Sequence, residues 1–261
     1  MGNGGEHAKI ETVPSMKVIM NKKEQARVLN AVKDWFRTVI LPNHLKNTEK
    51  LRKSSEFDIN PFLAPYLAAF HAGELTPKSV ANALLYPRVL GTSITTSFGT
   101  NMQTFISDLL KESYGSMISG IDIEFIDAID KRKKYCQVKL GIKTINKGDV
   151  KGIDTDFKTA SRLAKTNGLK LQHGDLIVGI LCGEEGKVSA NYKKLRDDHG
   201  YPLFVGEDFW YRLTGANDFY GRLIKAIGEV AVEANGKKLL ESVANDLAAT
   251  VEIQRLAGKP L

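Results

Sequence analysis

Two short runs constrain this chain more than any other part of it: Ile121-Asp122-Ile123-Glu124-Phe125 and Tyr135-Cys136-Gln137-Val138-Lys139-Leu140. Each alternates polar with apolar residues, the period of a β-strand with one face buried. In the first, Ile121, Ile123 and Phe125 share the core side, and Asp122 and Glu124 share the other. In the second, Cys136, Val138 and Leu140 turn inward, while Tyr135, Gln137 and Lys139 turn away. The charged link from Asp127 to Lys134 is short enough to pair the runs as an antiparallel hairpin. One hairpin face then gathers a carboxylate, an amide carbonyl oxygen and an ammonium group. Such a set can hold a hard divalent cation and position water against a phosphate.

The rest of the chain can bury a real core around that hairpin. It has 261 residues, 43% of them hydrophobic and 26% charged, an ordinary balance for a globular protein. The net charge of +7 leans toward a polyanionic partner, and nucleic acid leads among these. A lysine excess carries weight only where it is clustered. The densest cluster, Lys143, Asn146, Lys147, Lys151, Lys158 and Arg162, directly follows the second strand. Lysine and arginine neutralise phosphates, and asparagine and lysine can read purine edges, although a solvated helix face would look alike. Cys136 and Cys182 each sit in an apolar strand-like run, so both are expected buried and reduced, without metal-ligand spacing. No run approaches the ~18 apolar residues that span a bilayer, and the first residues do not resemble a signal peptide. A cytoplasmic protein without membrane contact is the expectation.

Local patterning places the remaining elements. Residues 1–20 read as a flexible arm. A helix is expected over 22–40, stopped by Leu41-Pro42-Asn43; a second closes at Gly73; a third opens at Thr76-Pro77 and runs to about Leu85. Residues 92–99, rich in Thr, Ser and Gly, read as a loop or irregular strand, followed by a helix over 101–114. After the hairpin, Asp154 or Thr155 is a candidate cap for a helix ending at Asn167-Gly168. Strands are expected over 175–182 and 201–205, then a helix from Glu207 and two more over 217–234 and 237–256. The whole reads as one α/β domain over 21–261 (an α+β mixed sheet), with an N-terminal helical region (21–91), a catalytic core (92–215) and C-terminal helices (216–257). The apolar positions of those last helices, among them Leu223, Val230, Val243 and Leu247, could either pair two copies or cap the core.

Asp122 followed after 15 positions by Gln137-Val138-Lys139 resembles the D…(D/E/Q)xK core of the PD-(D/E)xK nuclease superfamily. Further pieces resemble type II restriction endonucleases that read interrupted GGNCC-like sites. These are Ile59-Asn60-Pro61-Phe62, Thr96-Ser97-Phe98-Gly99, Ile177-Val178-Gly179 and Gly206-Glu207-Asp208-Phe209-Trp210, collinear over about residues 57–235. The resemblance implies a restriction-endonuclease-like core flanked by helices. It implies a Mg²⁺-dependent enzyme cutting both strands of a short palindromic double-stranded DNA site, and a homodimer with one active site per strand. By position, Asp122, Gln137 and Lys139 would be catalytic, with Asp122, the Gln137 amide oxygen and the Val138 backbone carbonyl on the metal. Lys139 would act on the attacking water and the phosphate.

Gln137 stands where such cores commonly carry Glu or Asp, which removes one negative charge. The compensating carboxylate is expected from Glu112 or Glu124, with Asp108 behind them, and on charge alone Gln137→Glu should preserve or strengthen metal dependence. Two other readings remain open at this point: another PD-(D/E)xK nuclease, acting in repair or on modified DNA, and a non-catalytic DNA-binding protein in which Asp122 and Lys139 are a structural ion pair.

Overall fold

The computed structural model describes residues 20–105, 110, 115–116, 118–168 and 170–258. The expected N-terminal arm therefore lies outside the described residues, apart from Met20. Four strands form one sheet in the order β1-β2-β3-β4: β1 (Ile123–Ile126), β2 (Lys133–Gly141), β3 (Leu176–Cys182) and β4 (Leu203–Val205). β1 is antiparallel to β2, whereas β2–β3 and β3–β4 are parallel. The parallel pair requires a crossover, and α6 (Lys147–Thr166) supplies it. This is the mixed α/β architecture expected of a restriction-endonuclease-like core.

Both faces of the sheet are covered. On one, Ile123, Phe125, Cys136, Val138 and Ile177 pack with helices α1 (Lys22–Trp35), α8 (Glu207–Thr214) and α9 (Phe219–Glu233). On the other, Tyr135, Val178 and Ile180 meet Val150, Ile153 and Phe157 of α6 and Tyr192 of α7 (Ala190–Asp197). Gly179 of β3 lets α8 approach: a Cβ there would lie 2.4 Å from the Phe209 ring. Ile121 departs from the alternation and joins the α6 side. Its N–H closes a turn onto the Ile118 carbonyl, 3.1 Å away, so the chain has not yet entered the strand.

The helical parts correct several local expectations. Leu41-Pro42-Asn43 does not stop the first helix, because α1 continues through a widened π-type segment (Phe36–Ile40) into α2 (Leu41–Lys50). The Leu41 N–H reaches back to the Phe36 carbonyl, and that wider turn accommodates the missing proline N–H at position 42. A second widened segment (Arg88–Ser93) follows Pro87, the last residue of α4 (Pro77–Pro87), and leads into α5 (Ile94–Phe105). Residues 92–99 are thus helical rather than a loop. Their polar side chains fold back on the backbone instead of competing with it: Thr95 Oγ1 donates to the Gly91 carbonyl at 2.8 Å. The crossover helix begins at Lys147, not at Asp154 or Thr155, since Asn146 and Asp149 form a reciprocal cap.

α3 (Leu63–Ala72) ends at Gly73 as expected, in the left-handed conformation. The C-terminal stretch divides into α10 (Gly236–Ala248) and α11 (Val251–Leu256). Val243 and Leu247 are buried against Leu85 and Val80 of α4, and Leu223 and Val230 are buried too, so these positions cap the core of their own chain. Large apolar side chains remain exposed on α3 and just before it: Phe62, Leu63, Tyr66, Leu67 and Phe70. Among the described residues no helix is long and apolar enough to cross a membrane.

Candidate active site

The last paired position of the hairpin sets Ile123 of β1 opposite Cys136 of β2. One residue further out, Asp122 donates its N–H to the Cys136 carbonyl at 2.9 Å. Its carboxylate Oδ2 accepts the Val138 N–H at 2.8 Å. The side chain thus takes the place of a backbone acceptor that β1 no longer supplies. In an extended strand, the N–H and C=O of one residue face the same edge, so the Val138 carbonyl shares this open edge with Asp122.

Gln137 and Lys139 are two residues apart on β2 and therefore on one face. Their partners in register are Val178 and Ile180 of β3, which fixes that face as the one under α6. Beyond Ile123 the regular register ends: the Asp122 N–H meets the Cys136 carbonyl, and the Asp122 carboxylate lies against the N–H of Val138, the residue between Gln137 and Lys139. Lys139 follows Gln137 about 7 Å along the strand. The fold thus brings Asp122 to the hairpin end where Gln137 and Lys139 share a face, with its carboxylate bonded to the residue between them. Burial first, and the Asp122 charge second, push the Cys136 thiol well up, while Lys139 pulls it the other way. Both charges are within electrostatic reach of a single sulfur atom. Lys139 makes no ion pair or hydrogen bond among the described residues.

Gln137 is buried, and its amide is held at one end. Nε2 donates to the Gly120 carbonyl at 2.7 Å and to Asp156 Oδ2 at 2.8 Å. Both partners accept only, so they fix which end of the amide carries the nitrogen. Oε1 then points elsewhere and accepts no hydrogen bond among the described residues. A carboxylate, a free amide oxygen and a backbone carbonyl are hard oxygen donors of low total charge. They suit a cation such as Mg²⁺, which takes one or two carboxylates and keeps several waters. Among the described residues no group of three His, Cys, Asp or Glu could hold a metal ion; the donor set here reaches three only through an amide and a main-chain oxygen.

The proposed extra carboxylates fare differently. Glu112 and Asp108 lie outside the described residues. Glu124 is on the same face, but Ser116 Oγ donates to its Oε1 at 2.5 Å and Lys133 neutralises its Oε2. The carboxylate hydrogen-bonded to the Gln137 amide is Asp156, in mid-α6, which the sequence pattern did not single out. Its one sequence signal is position: it flanks the buried Ile153, Phe157 and Ala160 stripe, where a charge needs a partner.

The basic stretch is spread along the molecule. Because α6 returns from the end of β2 to the start of β3, its first residues lie at the same end of the sheet as Lys139. Lys143, Asn146 and Lys147 are exposed there, and the Asn146 side-chain oxygen caps the helix at Gly148 and Asp149. Lys151, Lys158 and Arg162 are exposed on one stripe of α6, but at 1.5 Å per residue Arg162 is about 22 Å beyond Lys147. Lys158 is also paired with Asp154 at 2.7 Å. Of the cysteines, Cys136 is buried as expected, whereas Cys182 is exposed, since it ends β3 beyond the covering helices.

A search of curated proteins returned no match to the chain. A family model does match: that of the type II restriction endonuclease EcoO109I, over residues 30–235, which takes in the end of α1, α2 to α9 and the whole sheet. Since the matched span is well over half of the chain and contains the open hairpin end with Asp122, Gln137 and Lys139, the protein belongs to the type II restriction endonuclease EcoO109I family, and is a site-specific deoxyribonuclease that binds double-stranded DNA.

Proposed function

We propose that the enzyme is Mg²⁺-dependent and acts as a homodimer on a short palindromic site of the interrupted GGNCC-like kind, cutting both strands. The observation that carries this reading is the Asp122 carboxylate held by the Val138 N–H, between Gln137 and Lys139 at the open end of the hairpin, with Lys139 unpaired among the described residues. Asp122, Gln137 Oε1 and the Val138 carbonyl would hold the cation. Bound there, it would polarise a phosphate oxygen and favour ionisation of the attacking water.

The protein groups do the rest. Val138 N–H fixes the Asp122 carboxylate. Lys139 orients the water and offsets negative charge growing on the phosphate. Water attacks phosphorus in line and gives up a proton to solvent, the P–O3′ bond breaks, and the departing oxygen takes up a proton from solvent. The ends are 5′-phosphate and 3′-hydroxyl. Lys143, Asn146, Lys147 and Lys151 would meet the DNA nearest the cut, with Lys158 and Arg162 on phosphates farther away.

A two-fold site is matched most simply by a two-fold protein. The C-terminal apolar positions are used within the chain, so the exposed Phe62–Phe70 face of α3 is the surface we assign to the second copy. A cytoplasmic location, where DNA is met, belongs to the same proposal. The test is digestion of plasmid DNA of known sequence, with Mg²⁺ or with chelator, followed by end sequencing and sedimentation of the protein. Discrete fragments with palindromic ends in Mg²⁺ alone, from a two-chain particle, are expected. Random degradation, cutting in chelator, or a monomer that cuts would overturn the reading.

A further inference from the structure

Asp156 belongs to no motif, yet it touches the residue that departs from the common acidic pattern. The Gln137 side chain is only 6% exposed, and both of its amide hydrogens are taken, one by the Gly120 carbonyl and one by Asp156. The contact is tightly built. Gly120 has φ +81°, and a Cβ on it would lie 2.6 Å from the Asp156 side chain, so glycine is required for α6 to bring this carboxylate in. A glutamine that could turn over would offer the cation its NH₂ group half of the time. One held by two acceptors always offers oxygen.

We propose that Asp156 is the positioning residue that allows glutamine to serve at position 137, orienting the amide oxygen and placing beside it the negative charge glutamine lacks. This deepens the reading of the hairpin end as the catalytic site and rests on it. It also reverses the expectation drawn from charge alone for Gln137→Glu. A glutamate there would set a second carboxylate against Asp156 at the distance now spanned by a hydrogen bond, and like charges so close repel. Exchanging the two groups, Gln137→Glu together with Asp156→Asn, keeps the total charge and the hydrogen bond between the two positions, with donor and acceptor swapped. The exchanged pair still lacks a donor to the Gly120 carbonyl, so it should recover part of what either single substitution loses rather than match the native pair.

The experiment is a four-membered cycle of wild type, Q137E, D156N and Q137E/D156N, with K139A alongside. Calorimetric titration of Mn²⁺ alone into each protein, plasmid cleavage against Mg²⁺ concentration, and thermal melts are measured. Asp156→Asn is close in shape, so the fold should persist; the melts and metal-free DNA binding check that independently. Each single substitution is expected to weaken Mn²⁺ binding and raise the Mg²⁺ requirement about tenfold, as loss of an outer partner of a metal ligand does. The double variant should bind Mn²⁺ more tightly than either single, a rescue that a merely structural Asp156 would not give. If Q137E and D156N each bind Mn²⁺ like wild type, or if the double variant is no better than the singles, the role assigned to Asp156 is wrong. If K139A cleaves normally, the catalytic site itself is misplaced, whatever the cycle shows.

Discussion

The two ends of the β1–β2 hairpin use the same kinds of side chain for opposite purposes. At the link end, Asp127 is fully buried and is held by Arg212 at 2.8 Å and by the Ile129 N–H. Asp175, at the start of β3, accepts from Arg132 Nε at 2.8 Å and lies 3.4 Å from buried Lys134, which also pairs with Asp130 at 2.5 Å. These carboxylates meet cations of their own chain. At the open end, Asp122 is tied to a backbone N–H, Gln137 keeps its oxygen free of described partners, and Lys139 has no described counter-charge. A buried charge is tolerable when its partner is built in. A charge left available beside a carboxylate and an amide oxygen is poised for a partner that arrives, and a phosphate fits.

The comparison breaks most visibly at Lys139. Lys139→Ala should lower the single-turnover cleavage rate about 10³-fold, the scale for removing one group that stabilises transition-state charge, while DNA binding and thermal midpoint stay near wild type. Normal cutting by that variant would remove the distinction between the two ends. Asp175→Ala should do the reverse. It strands part of the charge of Lys134 and Arg132 and should cost about 3 kcal/mol, a fall of about 6–12 °C in thermal midpoint. Cleavage at 20 °C by the protein that remains folded should be unchanged; a lost rate without lost stability would show the link end to be part of the site.

Acid should act on the link end first. Hydrogen bonds from Arg132 and the Gln172 backbone, with the Lys134 charge, hold the Asp175 carboxyl below its usual 3.8 against the opposing effect of burial, and Lys134 lowers Asp130 in the same way. With folded values below the unfolded ones, this stabilisation is complete above about pH 4 and fades as pH falls through the folded values. Melts from pH 6 to pH 3 should show that decline, and Asp175→Asn should flatten it; an unchanged slope would deny the pairing its role. The smallest effect is expected at Lys158. Lys158→Ala should alter stability by less than about 0.5 kcal/mol, because the lysine is exposed and Asp154 keeps Tyr201 and His199 as partners. Should it touch a phosphate, the slope of log K against log salt should flatten by about 0.9, and an unchanged slope would leave it a solvated surface residue.

The hairpin was legible because alternation is a local property: each residue from Ile123 to Phe125 and from Tyr135 to Leu140 reports its own face. Gln137 and Lys139 share a face by that same period, whereas Asp122 precedes the strand and reaches Val138 through a hydrogen bond. The buried strand over 176–182 and the α3 stop at Gly73 are equally local, the one an unbroken apolar run and the other a residue suited to positive φ. Other features depended on partners distant in sequence. Whether Pro42 ends a helix was settled by a π-type turn, and whether residues 92–99 coil or wind was settled by what they pack on. Cys182 looked buried because its run is apolar, but it lies where the covering helices end.

The sequence by itself determined the alternating strands, their pairing and the chemistry-bearing triplet, since period and short-range spacing act along the chain without knowledge of the rest. Only the tertiary structure decided that Asp156, nineteen residues beyond Gln137, meets its amide, that Asp127 meets Arg212 across eighty-five residues, and that the C-terminal helices cover their own N-terminal ones. Those contacts depend on how α6, α8 and α10 pack, a collective outcome of burying apolar faces that no short window of residues encodes.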